Sequence, residues 1–99
     1  MISENYLKKI RISVRRSASE AVNIEITDII EECRADLQSV GVLKENTENE
    51  NDPLILGAVR CFARWKFGLN NADAAVNRDD YFQLRDELRK RRDYCISVT

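Results

Sequence analysis

The sequence has no histidine and only three glycines among its 99 residues. Histidine is the side chain whose ordinary pKa suits proton transfer near neutral pH, and nucleophilic catalysis of the Ser/His or Cys/His kind depends on it. A phosphate-binding loop needs several glycines close together, whereas Gly41, Gly57 and Gly68 are far apart. The sequence therefore predicts no enzymatic activity, no catalytic residues and no nucleotide cofactor.

Cysteine is also scarce. The three cysteines, Cys33, Cys61 and Cys95, are widely separated and form no C-x-x-C pair. A zinc site needs closely spaced cysteine or histidine ligands, so no metal site is expected. Each cysteine occupies a position where an apolar helical pattern places a small hydrophobic residue. We predict three reduced thiols in the core.

Long hydrophobic runs and a marked excess of one charge are absent. No stretch approaches the roughly 18 apolar residues of a membrane span, and residues 1–16 lack the apolar region of a signal peptide. Sixteen Lys and Arg stand against seventeen Asp and Glu, which gives a net charge of −1 and no global attraction for nucleic acid. With 43% hydrophobic residues, the chain is expected to form one soluble globular domain over residues 1–99, without membrane contact.

Apolar residues at helical spacing predict four helices, over about residues 3–16, 18–40, 53–67 and 72–94. Ser3 and Asn71 are suitable caps for the first and last of these, and the S-x-x-E sequence of residues 17–20 has the form of a capping box. Asp52-Pro53 provides a sharp start for the third helix. That helix is apolar on most of its circumference, so the sequence predicts an all-α, four-helix bundle with a buried third helix.

Two segments are less regular. Residues 22–26 alternate like a half-buried strand, although the helical period continues for ten more residues and favours helix. Residues 44–52 are polar, acidic and without one apolar side chain. Because this segment has nothing apolar to bury, we predict a loop that is mobile in the free protein and becomes ordered only against a neighbouring subunit.

One surface of the last helix has the composition of a binding interface. Arg78, Arg85, Arg89 and Arg92 fall in one stripe, and Phe82 projects beside it, away from the apolar seam of that helix. A phenylalanine framed by arginines and without an evident partner inside the chain is typical of an interface hot spot. The alternative is a solvated charged face that carries a single exposed aromatic residue.

Several short segments, taken in order, resemble the small head–tail connector proteins of tailed bacteriophages, which are often described as DNA-packaging proteins. They are Lys9-Ile10-Arg11-Ile12-Ser13, Glu25-Ile26-Thr27-Asp28-Ile29-Ile30-Glu31-Glu32-Cys33-Arg34-Ala35-Asp36-Leu37, Asp52-Pro53-Leu54-Ile55 with Ala58-Val59, Lys66-Phe67-Gly68, Asp73-Ala74, Tyr81, Leu84 and Asp93-Tyr94. The sequence departs from this family at Asn77, where an apolar residue is usual, and in the aromatic pattern around Cys61-Phe62 and Trp65.

The resemblance implies a helical, non-enzymatic virion protein, encoded by a phage or prophage and made in the cytoplasm of the bacterial host. Copies would assemble into a ring beneath the portal after DNA packaging and provide a platform for tail attachment. The implied partners are the portal protein and other connector or tail-completion proteins, with the packaged DNA passing through without sequence-specific binding. The candidate subunit or portal contact is then Arg78, Phe82, Arg85, Arg89 and Arg92. The alternative is a small nucleic-acid-binding or regulatory module that uses the stripe of Arg78, Arg85, Arg89 and Arg92.

Overall fold

The protein is all-α in a computed structural model that describes residues 2–68 and 71–95. Within these residues there are five helices and no β-strand: α1 (Glu4–Ser13), α2 (Glu20–Ser39), α3 (Lys44–Thr47), α4 (Pro53–Lys66) and α5 (Ala74–Arg89). The predicted fold class is confirmed. Five helices replace the expected four because a short helical turn lies between α2 and α4, so the four-helix bundle is not confirmed.

Side-chain caps begin α1 and α4 where the sequence predicts them. Ser3 Oγ accepts the backbone N–H of Tyr6 at 3.1 Å. Asp52 Oδ1 accepts the N–H groups of Leu54 and Ile55 at 2.9 and 3.3 Å. Each cap satisfies backbone donors that have no partner inside the helix. The predicted starts of these two helices are confirmed.

The boundaries of α1 and α2 differ from the prediction. α2 begins at Glu20 because Ser19, rather than Ser17, accepts the N–H of Val22 at 3.1 Å. α1 ends at Ser13, three residues earlier than expected, and Arg15 then adopts a left-handed conformation with φ of 58°. That conformation reverses the chain direction at a cost of about 1–2 kcal/mol for a residue with a Cβ. The strand alternative for residues 22–26 is excluded, because they lie within α2.

α5 is shorter than predicted at both ends. It begins at Ala74, because the Asn71 side chain instead holds the preceding turn by accepting the Asp73 N–H at 3.1 Å. It ends at Arg89, where the Cys95 thiol donates to the carbonyls of Leu88 and Arg89 at 3.3 and 3.4 Å. The chain folds back at this point, which supplies partners for carbonyls that the helix leaves unpaired.

The core lies between α4 and the other three long helices, each of which contacts α4. Fully buried side chains from all four helices meet there, including Ile10, Ile30, Val59 and Tyr81. Burial of an aliphatic side chain of this size contributes about 1.5–3 kcal/mol. One side of α4 stays exposed, with Leu54 38% accessible, so the helix predicted to be buried is only partly enclosed.

Polar contacts join the segment 44–52 to other parts of the chain. Thr47 is fully buried, and its hydroxyl donates to the Lys44 carbonyl and accepts from Gln38 Nε2. Glu50 accepts the backbone N–H of Ser3 at 2.9 Å as well as the Ser3 hydroxyl. The prediction of a loop is wrong for residues 44–47, which form α3, because it considered only apolar burial and not hydrogen bonds to distant parts of the chain. That the segment is mobile in the free protein stays a prediction.

A second set of contacts joins residues 42–52 to residues 93–95. The backbone N–H of Leu43 donates to the Tyr94 carbonyl at 2.8 Å, and Asn46 Nδ2 donates to it at 3.1 Å. The Tyr94 hydroxyl donates in turn to Asp52 Oδ2 at 2.6 Å. An isolated antiparallel bridge between Val42 and Cys95 completes this contact. The chain after α5 is therefore held against the connection between α2 and α4.

Candidate functional site

The predicted arginine stripe lies only partly on α5. Arg78, Arg85 and Arg89 are on the helix, whereas Arg92 follows the helix end and lies in a turn. Three of the four form ion pairs within the chain: Arg78 Nε with Asp79 Oδ1 at 3.2 Å, Arg85 Nη1 with Asp36 Oδ2 at 3.0 Å and Arg89 Nε with Asp86 Oδ1 at 2.6 Å. Their positive charge is therefore largely compensated by the protein itself.

Phe82 lies at the exposed edge of a group of four aromatic rings. Its side chain is 39% accessible, and its ring packs edge-to-face on Trp65, with centroids 5.4 Å apart. Trp65 and Tyr81 in turn contact the buried Phe62. The expectation that Phe82 has no partner inside the chain is wrong, because the half-buried Trp65 extends the apolar surface of α4 beyond the seam around Tyr81.

Arg85 also packs against Phe82. Its guanidinium carbon lies 4.7 Å from the centre of the Phe82 ring, a cation–π distance. Trp65, Phe82 and Arg85, here called the Phe82 patch, thus form a partly exposed surface whose side chains contact one another. Aromatic and arginine side chains with little freedom to lose are enriched at protein interfaces.

Asp36 on α2 forms hydrogen bonds with Arg85 of this patch and with the neighbouring Tyr81. Its Oδ2 accepts the Tyr81 hydroxyl at 2.6 Å, and both carboxylate oxygens accept from Arg85 Nη1. Burial raises the pKa of Cys33 to about 12, and burial together with Cys33 and Asp36 raises the pKa of Tyr81. Both groups remain protonated at neutral pH, and the hydrogen bonds to Asp36 position Arg85.

Asp36 is not among the predicted site residues, although the sequence carries one signal for it. Asp36 lies three residues after Cys33 and directly before Leu37, at the edge of the apolar seam of α2. A carboxylate at such an edge loses part of its hydration and needs hydrogen-bond donors from a neighbouring element. Which element supplies them depends on the tertiary fold, which the pattern along α2 does not reveal.

A basic groove is the second feature that the sequence did not reveal. It is an open depression of about 1030 Å³ between the end of α1, the end of α4 and the start of α5. Five of its lining side chains are basic and one, Asp73, is acidic; the basic ones are Lys9, Arg15, Arg16, Arg60 and Arg64. Among the described residues, none of these five forms a salt bridge. Their convergence requires two helices that are about 50 residues apart in the chain.

The three cysteines are free thiols, of which Cys33 is buried while Cys61 and Cys95 are half-buried. The prediction of core positions therefore holds fully for Cys33 alone. In the part of the chain that the structure describes, no group of three or more Cys, Asp or Glu side chains could hold a metal ion. No helix in this part is long and apolar enough to cross a membrane.

Comparison of the chain with protein-family models, with curated proteins and with solved structures finds no match.

Proposed function

We propose that this protein is a phage virion assembly protein, a head–tail connector whose copies form a ring beneath the portal after DNA packaging and provide a platform for tail attachment. Two features support the proposal. The order and spacing of the segments around residues 25–37, 52–59 and 66–68 resemble those of connector proteins, and the all-α fold agrees with the helical fold that this resemblance implies. A connector needs contact surfaces and no catalytic chemistry.

The Phe82 patch is the observation on which the proposal depends most. An aromatic ring that is 39% accessible and already packed against Trp65 and Arg85 offers apolar area to a partner with less side-chain freedom to lose on binding. We propose this patch as part of the contact with the portal or with a neighbouring subunit. Arg78 and Arg89 would lie at its polar margin, where they orient the partner more than they add affinity.

The alternative of a nucleic-acid-binding module that uses the arginine stripe is less well supported. Binding to phosphates depends on cations that are free to replace counterions. Arg78, Arg85 and Arg89 already contact carboxylates at 2.6 to 3.2 Å. The stripe is also interrupted, because Arg92 lies beyond the end of α5. A nucleic-acid-binding role would require these ion pairs to open.

The role is tested with phage particles assembled with and without this protein. Heads made without it should fail to retain DNA or to accept tails, and purified protein should restore both. The Phe82→Ala variant should join portal-bearing heads about 30-fold less well, the loss that corresponds to the roughly 2 kcal/mol expected of a hot-spot residue. Leu84→Ala, which alters a half-buried residue of the same helix, serves as the control for lost stability and should still be incorporated.

Two results would contradict the proposal. Heads lacking the protein that retain DNA and accept tails normally would exclude the connector role. Equal incorporation of Phe82→Ala and wild-type protein would remove the Phe82 patch from the contact. Duplex DNA binding that weakens steeply as salt rises, and that is abolished by changing Arg85 or Arg89, would instead favour the nucleic-acid-binding alternative.

A further inference from the structure

The exposed face of α2 carries a concentration of negative charge. This helix contains six acidic residues, and its one basic residue, Arg34, is buried. Four of the acidic side chains are exposed and form no salt bridge within the described residues, and Ile24, 56% accessible, lies among them. These residues, here called the acidic face, are Glu20, Glu25, Asp28 and Glu31 together with Ile24.

The basic groove is complementary to the acidic face in both charge and apolar content. Its five basic side chains and Asp73 give a formal charge of +4, while the four carboxylates of the acidic face give −4. Ile12, which lines the groove, is 65% accessible, as Ile24 is exposed on the acidic face. Each surface thus combines uncompensated charge of one sign with a single exposed isoleucine.

The two surfaces of one copy do not face each other. Arg11 points from α1 towards α2, where Arg11 Nη1 donates to Asn23 Oδ1 at 2.7 Å. Lys9 precedes Arg11 by two positions and therefore lies about 160° away around the helix axis. The groove that Lys9 lines opens on the side of α1 that faces away from α2. A second molecule is needed to join the basic groove to an acidic face.

We infer that the basic groove of one copy receives the acidic face of another copy of this chain. Because the two surfaces differ, each copy keeps one groove and one face free, so the contact repeats and gives a closed ring or an open chain of copies. Ile12 and Ile24 supply apolar contact, and the opposite charges determine which surfaces pair. The inference deepens the proposed function and rests on it for the expectation that copies assemble.

Charge exchange between the two surfaces tests this contact. A groove variant, Lys9→Glu with Arg64→Glu, and a face variant, Asp28→Lys with Glu31→Lys, are each examined alone and as an equimolar mixture. Sedimentation equilibrium at protein concentrations up to about 1 mM detects weak association. Each variant alone should associate at least about tenfold less well than the wild type, because the altered groove or face then has a net formal charge of zero and loses its attraction for the other surface. The mixture should regain association as pairs, since the intact acidic face of the groove variant then meets the intact basic groove of the face variant.

A matched control carries the same change in net charge elsewhere on the surface. Lys44→Glu with Arg91→Glu alters two exposed residues that do not line the groove and should associate like the wild type. Circular dichroism confirms that each variant is folded. Association of the wild type should weaken as salt rises from about 50 to 500 mM, because exposed charges are screened.

Failure of the mixture to regain association, or a wild type that stays monomeric at every concentration, would overturn the inference. Duplex DNA binding that is lost in the groove variant would overturn it in favour of a nucleic-acid partner. The proposed function is judged separately. If the mixture associates but heads do not need the protein, the connector role fails and this contact stands. If the mixture does not associate but heads still recruit and need the protein, the contact between groove and face fails and the connector role stands.

Discussion

Replacement of Asp36 by asparagine tests whether one partly buried carboxylate joins α2 to α5. The carboxylate accepts the Tyr81 hydroxyl at 2.6 Å and Arg85 Nη1 at 3.0 Å. Hydrogen bonds to a charged group contribute about 1.5–3 kcal/mol each, but the Asp36 and Arg85 side chains are 31% and 28% accessible, so solvent screens part of this. We expect Asp36→Asn to lower the free energy of unfolding by about 1–2 kcal/mol.

A double-mutant cycle with Tyr81→Phe separates this contact from general damage to the helix. Tyr81→Phe removes the hydroxyl that donates to residue 36, and Asp36→Asn removes the negative charge of its acceptor. Because the two changes weaken the same contact, their effects should fall short of additivity by about 0.5–1.5 kcal/mol. Urea unfolding is followed by the fluorescence of Trp65, the single tryptophan, whose ring centroid lies 6.2 Å from that of Tyr81. In thermal unfolding, each kcal/mol corresponds to a decrease in Tm of about 4–8 °C.

Asp28→Asn is the matched control, since Asp28 is exposed on the same helix. It should change the free energy of unfolding by less than about 0.5 kcal/mol. The reasoning would be refuted if Asp36→Asn were equally neutral, or if the effects of Asp36→Asn and Tyr81→Phe simply added. In either case the orientation of Arg85 against Phe82 would need another explanation.

Two further predictions concern titrating groups. Burial raises the pKa of Cys33 to about 12, so a thiol reagent at pH 8 should react with Cys33 only in molecules that have unfolded. Labelling of Cys33 in the folded protein should therefore be at least about 100-fold slower than labelling of the protein unfolded in urea. Partial burial raises the pKa of Glu50, but hydrogen bonds from Ser3 and the charge of Arg34 outweigh it and hold the pKa below its usual value. Because the folded pKa is the lower one, this stabilisation is present above pH 4.5 and is lost as the pH falls further. Glu50→Gln should therefore reduce the dependence of Tm on pH below that value. Labelling of Cys33 in the folded protein at the rate found in urea would contradict the first prediction. A dependence of Tm on pH that Glu50→Gln leaves unchanged would contradict the second.

Local chemistry accounts for the parts of the fold that the sequence predicts correctly. Ser3 and Asp52 cap their helices through backbone groups two or three residues away, so the pattern that predicts them is contained in a few positions. Gly41 and Gly68, which end the second and third predicted helices, have φ of 105° and 84°. These left-handed conformations favour glycine at the end of a helix.

Contacts between distant residues decide the parts that the sequence does not reveal. The end of α5 depends on the Cys95 thiol, and the order in residues 44–52 depends on the burial of Thr47 and on Ser3. In the candidate site, the composition of α5 suggests an aromatic residue among arginines, but neither Trp65 nor Asp36 belongs to that helix. A periodic pattern describes one element, whereas these contacts depend on how elements are packed together.

The contact between residues 42–52 and 93–95 also has a consequence for the order of folding. The Asn46 side chain and the Tyr94 carbonyl are 48 positions apart, so joining them in an otherwise unfolded chain has a loop-closure cost of roughly 3 kcal/mol. Packing of α4 against α5 brings the two ends together beforehand and lowers that cost. We therefore expect the contact to form after the folding transition state, and Tyr94→Phe to accelerate unfolding while leaving the folding rate nearly unchanged. The contact would then determine the unfolding rate, and so the lifetime of the folded molecule, while it has little influence on the folding rate.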